Sequence, residues 1–136
     1  MRHDLLFETN RFNLSETKDH FINPCCFGED VAAWLRGELI KRDIEVIEPD
    51  QEDWGWYIEA KHKGGSYFIG IGGNADESST DRNQGEWRIM VEKHRSIREK
   101  LTRKNEMSEA DEMVTVIWEI LEREPDFKNL HHETGL

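Results

Sequence analysis

The sequence lacks long apolar runs. A helix that crosses a membrane needs roughly 18 or more consecutive apolar residues, and no such run is present. Residues 1–8, MRHDLLFE, are interrupted by charge before the apolar core of a signal peptide could form. We therefore expect no membrane span and predict a cytoplasmic location.

Cysteine is also scarce, since Cys25 and Cys26 are the only two and are adjacent. Neighbouring cysteines rarely form a disulfide because the ring that they would close is strained. Neither a C-x-x-C pair nor an H-E-x-x-H motif is present, and His131 and His132 stand in a polar tail. The sequence therefore predicts no disulfide framework, no metal site and no cofactor.

Positive charge is in deficit. The 136 residues include 29 acidic and 18 basic side chains, which gives a formal net charge of -11. This charge repels phosphate groups, which argues against nucleic acid and anionic membranes as partners. A basic protein partner fits the charge, although acidity of this kind also serves simply to keep a small domain in solution.

The chain length matches one domain and is too short for two independent cores. We predict a single domain over residues 1–136, with 1–20 and 126–136 loosely ordered. The first helix is predicted to begin at Asn23-Pro24, an N-cap residue followed by a proline, and to end near Arg42. Gly28 is the alternative start of this helix.

A β-hairpin is the clearest strand signal. Residues 54–60 and 67–71 alternate around a glycine-rich turn, and this alternation predicts Trp54 and Trp56 on one face. Residues 44–46 and 87–91 are predicted as two further strands. The polar composition of residues 72–85 predicts a long loop between the last two strands.

A second main helix is predicted near the C-terminus. Ser108 with Asp111 resembles a capping box, and an apolar stripe follows until Pro125. Ser96 is the predicted start of a short helix before it. The order of elements indicates an α+β fold: one two-layer domain with an antiparallel sheet of about four strands covered by two main helices, α-β-β-β-β-α, and a short extra helix before the last.

Cys26 is the candidate nucleophile. At the start of the predicted first helix, free N–H groups and the helix dipole would stabilise its thiolate. Glu29 and Asp30 oppose that charge, and His62 or His94 would have to act as the base without a local motif that pairs them with the thiol. A small cysteine-dependent enzyme is one alternative, and cysteines that merely pack as small apolar side chains are another.

Two further patterns are too weak to assign a chemistry. The glycine-rich segment 70–74 is superficially similar to a phosphate loop, but Asp76 and Glu77 would repel a phosphate. The basic stretch from Lys93 to Lys104 has no interleaved aromatic residues on which nucleic-acid bases could stack.

Acidic residues cluster beside tryptophans at two places. Carboxylates around a tryptophan suit a cationic ligand, because Coulomb attraction and cation–π contact act on the same charge. The competing explanation is that the tryptophans belong to the core and the acids are solvated. We predict a binding surface made of Glu29, Asp30, Glu52, Asp53, Trp54 and Trp56.

Two segments carry a family resemblance. Residues 23–35, NPCCFGEDVAAWL, and residues 52–56, EDWGW, resemble segments of small bacterial proteins to which no activity is assigned. The resemblance implies a bacterial protein and transfers no catalytic residue. By size and charge alone, the chain is also similar to immunity proteins, which neutralise cationic toxin domains.

Charge and composition together predict an acidic protein-interaction module that binds a basic protein partner, as an inhibitor or immunity-type protein. Two alternatives stay open. One is the cysteine-dependent enzyme that uses Cys26, and the other is a domain that binds a small ligand in a tryptophan-lined pocket.

Overall fold

The computed structural model describes residues 2–24, 26–94, 102, 107 and 111–135. Strands outnumber helices in these residues. The helices are α1 (Glu29–Ile40) and α2 (Glu112–Glu122). The strands are β1 (Arg2–Thr9), β2 (Glu45–Val46), β3 (Asp50–Glu52), β4 (Gly55–His62), β5 (Gly65–Ala75), β6 (Gly85–Lys93) and β7 (Lys128–Gly135).

The seven strands form one antiparallel sheet. Its order is β2-β4-β5-β6-β1-β7, and β3 pairs with β4 alongside β2. β2 and β3 thus form one broken edge, which residues 47–49 interrupt, and Pro49 there lacks the N–H that a continuous ladder needs. β1 lies between β6 and β7, so the first and last strands are neighbours.

The predicted number and order of strands are wrong. The sequence predicts about four strands between two main helices (α-β-β-β-β-α), whereas the sheet has seven, with β1 before α1 and β7 after α2. β1 shows no alternation because residues on both of its faces are buried. β7 is polar because it is an exposed edge strand. Residues 1–20 and 126–136, predicted to be loosely ordered, contain these two strands.

The helices cover one face of the sheet, and the core lies between the two layers. Alternate residues of the central strands point toward the helices and are fully buried, among them Ile69, Ile71, Trp87, Ile89 and Val91. The helices contribute their own buried stripes to this core. We call this side of the sheet the helix-covered face and the other side, on which neither described helix packs, the outer face.

α1 begins later than Asn23-Pro24, so that predicted start is wrong and the alternative start at Gly28 is confirmed. Gly28 is the N-cap residue and has a φ of 137°, a backbone conformation that residues other than glycine rarely adopt. A Cβ at this position would also lie 3.2 Å from Ile71 Cγ2. The close approach to β5 therefore fixes where the helix starts.

α2 is capped by Asp111, whose side chain accepts a hydrogen bond from the Met113 N–H at 2.9 Å. Asp111 is therefore the N-cap itself and not the second member of the predicted capping box. Ser108, the predicted short helix from Ser96 and most of the basic stretch lie outside the described residues. Of the helices in the described ranges, none is long and apolar enough to cross a membrane.

The predicted hairpin is confirmed as β4 and β5. Its turn has positive φ at Lys63 (48°) and Gly64 (77°), as two-residue hairpin turns require. β5 continues to Ala75, so the loop predicted over residues 72–85 is shortened to 76–84. This extension depends on Gly73, where a Cβ would lie 2.6 Å from the ring of Trp87.

We expect Gly73→Ala to lower the free energy of unfolding by about 1–3 kcal/mol, because the ring of Trp87 is fully buried and has no room to retreat. Gly72→Ala is the matched control, since a Cβ at Gly72 meets nothing within 4 Å. Urea unfolding followed by circular dichroism measures both variants. Equal losses in the two would contradict the packing role of Gly73.

A histidine pair joins β7 to β1 on the helix-covered face. His3 Nδ1 and His132 Nε2 lie 2.7 Å apart, and the two rings stack with 4.9 Å between centroids. His3 is fully buried, and Trp118 of α2 lies beside His132. Burial lowers the pKa of His132, the charge of His3 lowers it further, and Asp4 opposes the shift. The folded protein therefore favours a neutral His132.

We expect the free energy of unfolding to decrease as the pH falls below about 6.5, the ordinary pKa of histidine. Because the pKa of His132 is lowered in the folded state, the unfolded chain binds more protons in that range. Urea unfolding at several values between about pH 5.5 and 7.5 measures the slope. His132→Gln should flatten this slope, and the exposed control His131→Gln should preserve it; the opposite result would rule out the pair as the cause.

Candidate functional site

The two tryptophans of the predicted binding surface lie on opposite faces of the sheet. Trp56 is buried on the helix-covered face, and its indole N–H donates to the Cys26 carbonyl oxygen at 3.2 Å. Trp54 is 44% exposed, and its ring lies over Gly70 on the outer face. The predicted shared face is wrong because β4 begins at Gly55, so Trp54 belongs to the preceding turn. Trp56 is a core residue.

Glu29 and Asp30 lie at the start of α1, on the helix-covered side. The Glu29 carboxylate is 2.6 Å from His20 Nε2. Asp30 accepts a hydrogen bond from the Asn13 N–H at 2.8 Å. Both carboxylates thus hold the irregular segment before α1 in place.

Glu52 and Asp53 are exposed and lie directly before Trp54 in the chain. The Asp53 carbonyl oxygen accepts from Asn23 Nδ2 and from Cys26 Sγ, each at 3.1 Å. These backbone contacts anchor the turn between β3 and β4. Among the four predicted acids, these two are therefore the ones that remain beside Trp54.

Neither predicted histidine base lies near Cys26. Trp56, which contacts Cys26, and His62 are six residues apart on β4, which corresponds to about 20 Å at the rise of a strand. The His94 N–H donates to the Ser66 carbonyl oxygen at 2.7 Å, at the His62 end of the sheet. Cys26 also precedes α1, so the free N–H groups of that helix do not begin at this thiol.

A groove on the outer face of the sheet, which we call the sheet groove, is the candidate site. β5 and β6 form its floor, and its volume of about 560 Å³ is within the range of small-ligand pockets. Its lining residues are Arg2, Trp54, Phe68, Gly72, Gly73, Asn74, Glu86, Arg88, Met90 and Glu92.

Aromatic side chains form one wall of the groove. The rings of Trp54 and Phe68 meet edge to face with 6.1 Å between centroids, and Phe68 stacks on Tyr57 at 5.0 Å. Gly72 leaves the middle of the floor open, because a Cβ there would meet nothing within 4 Å. Trp54 therefore presents an exposed aromatic face beside an open floor.

Asp4 pairs with both arginines of the groove. Its side chain is 4% exposed and accepts hydrogen bonds from Arg2 Nε at 2.9 Å and Nη2 at 3.1 Å. Arg88 also donates to Asp4, and its Nη1 lies 3.4 Å from the Glu133 carboxylate. Both guanidinium groups are thus committed to carboxylates of β1 and β7.

Glu86 and Glu92 are in the opposite situation. Within the described part of the chain, neither carboxylate has a hydrogen-bond or ion-pair partner. Both belong to β6 and lie six residues apart, so they face the same side about 20 Å from one another. The uncompensated charge of the groove is therefore negative and stands at its two ends.

Negative charge also surrounds the aromatic wall. Burial raises the pKa of Tyr57, and the charges of Asp50, Glu52 and Glu59 raise it further. Burial is the largest cause of this shift, and the part that the three carboxylates add reflects a negative local potential, which disfavours the phenolate. The outer face beside Trp54 therefore has an environment that attracts cations.

Sequence reasoning missed most of the groove. The residues of β6 that face the groove alternate with Trp87, Ile89 and Val91, the apolar residues from which this strand was predicted. This alternation is a signal that could have identified the groove residues of β6. Arg2 and Asp4 had no such signal, because their position depends on pairing between distant strands.

In the described ranges, no group of three or more His, Cys, Asp or Glu side chains is arranged to hold a metal ion.

We expect Gly70→Ala to displace Trp54 while leaving the fold intact. A Cβ at Gly70 would lie 2.8 Å from Trp54 Cη2, the far end of an exposed ring that is free to move. The indole N–H signal of Trp54 in ¹⁵N NMR spectra should shift, and the free energy of unfolding should change by less than about 1 kcal/mol. Gly37→Ala, at an exposed position of α1, is the control, and an unmoved Trp54 signal in Gly70→Ala would contradict this packing.

Comparison with known proteins adds no relative. No protein-family model matches the chain, and neither a curated protein nor a solved structure matches it. Function is therefore to be inferred from the contacts and charges of the sheet groove.

Proposed function

We propose that this domain is a protein-binding module that receives basic side chains of a partner protein in the sheet groove. The division of charge within the groove carries the proposal. Arg2 and Arg88 form ion pairs with carboxylates of their own chain. Within the described residues, Glu86 and Glu92 have no ion-pair or hydrogen-bond partner. Free carboxylates are the charges that an incoming ligand would meet, and they attract cations.

Trp54 supports a cationic ligand on separate grounds. An exposed tryptophan face attracts a guanidinium or ammonium group through its quadrupole, and tryptophan is enriched among residues that dominate binding energy. Phe68 and Gly70 hold the ring in position on the sheet. The partner therefore meets a preformed aromatic surface beside the acids.

The net charge of the chain supports the same partner class. A formal charge of -11 steers basic proteins toward the domain and repels other acidic ones. An inhibitor or immunity-type protein that covers a cationic domain would use such a surface, and this role is part of the proposal. A cytoplasmic location stays a prediction.

A small-ligand-binding domain is the second candidate function. The observation that favours it is the groove itself, which combines a volume of about 560 Å³ with a wall of Trp54 and Phe68. A free cationic amino acid would satisfy the same chemistry as a basic residue of a protein. The two candidate functions differ in the size of the ligand, which is a protein segment in the first and a free small molecule in the second.

The test of the proposed function is titration with a tetra-arginine peptide, followed by tryptophan fluorescence and calorimetry. We expect Glu92→Gln to weaken binding by about two- to fivefold, the effect of one partly exposed ion pair. Glu77→Gln in the exposed loop 76–84 removes the same charge outside the groove and is the matched control. It should retain most of the affinity.

Equal weakening in Glu92→Gln and Glu77→Gln would show that only net charge matters and would refute the groove as the site. Free arginine is the second probe. If it binds as tightly as the peptide does, a small ligand replaces the protein partner as the function of the groove.

A further inference from the structure

We infer that the sheet groove takes one extended segment of the partner, with two basic residues six positions apart and an apolar residue between them. This inference rests on the proposed function and specifies the partner. It follows from the spacing of the free acids along β6 and from the open space between them.

The spacing comes from Glu86 and Glu92. They lie at the two ends of the groove, about 20 Å apart, and an extended chain covers this distance in six residues. Their separation exceeds the screening length of about 8 Å at physiological salt, so each carboxylate attracts its own cation independently. Only a segment that spans the groove gains both contacts.

The distance between the two acids distinguishes an extended chain from a helix. An extended chain covers about 20 Å in six residues, whereas a helix rises only about 1.5 Å per residue and needs about 13 residues for the same distance. Two basic residues six positions apart therefore reach both acids only in an extended chain.

The centre of the groove selects an apolar residue. Gly72, which is paired with Arg88, leaves open space on the floor, and Trp54 and Met90 lie at Gly70, the next residue of β5 on the same face. In an extended segment every second side chain points the same way, so residues two or four positions after the first basic one face this space. A leucine-sized side chain there would displace water from Trp54 and Met90.

The experiment uses glycine- and serine-based peptides with a central leucine and two arginines that lie two, six or ten positions apart. Tryptophan fluorescence and calorimetry at physiological salt measure the affinity of the full chain for each peptide. We expect the six-position peptide to bind at least about threefold more tightly than either of the others, because it alone reaches both acids.

Four variants locate the effect. Glu86→Gln and Glu92→Gln should each remove the preference for six positions, and Glu77→Gln should keep it. Gly72→Leu fills the open space on the floor. In this variant, the peptide with a central leucine should bind no more tightly than a peptide in which alanine replaces that leucine. Loss of binding in Glu92→Gln without any dependence on spacing would overturn this inference and leave the proposed function intact.

Two other outcomes are equally informative. Tightest binding of the ten-position peptide would overturn the extended segment in favour of a longer or helical one. Equal binding by Glu92→Gln and Glu77→Gln would refute the proposed function together with this inference. The pattern across peptides thus separates failure of the binding mode from failure of the site.

Discussion

The character of the outer face depends on Asp4, a nearly buried carboxylate that pairs with Arg2 and Arg88. Without this carboxylate, two arginines would face the groove and an anionic ligand would fit it better. With it and with Glu133, which also lies near Arg88, two carboxylates balance the two guanidinium groups, and the remaining charge is that of Glu86 and Glu92. Burial strengthens the Coulomb attraction in both ion pairs because little water competes for the carboxylate oxygens, although both arginines keep part of their surface exposed.

Asp4 reaches this position because β1 lies between β6 and β7. One side of β1 supplies Leu5 and Phe7 to the core, and the other side supplies the carboxylate to the groove. The same insertion brings His3 beside His132, so that ionisable groups on both faces depend on one strand pairing. The core and the candidate site are therefore two consequences of a single topology.

The fold separates the predicted acidic residues into two groups with different environments. Glu29 and Asp30 hold the segment before α1, and Trp56 belongs to the core. The proposed binding surface moves from these residues to the outer face, where Trp54 remains with Glu52 and Asp53 nearby. A cation-binding role for tryptophan and carboxylates thus stays the proposal, but the sheet groove now carries it.

Local sequence patterns were sufficient for part of this protein. Alternation predicted the β4–β5 hairpin and β6, helical spacing predicted α2 and the body of α1, and composition determined the net charge, because each of these properties depends on neighbours in the chain. The tertiary structure alone decided that β1 and β7 join the sheet, that Trp54 and Trp56 face opposite ways, and that Asp4 pairs with both arginines of the groove. The places of β1, β7 and Asp4 depend on strand pairings between residues more than 80 positions apart, as between Asp4 and Met90, for which no local pattern exists. The opposite faces of Trp54 and Trp56 depend on where β4 begins.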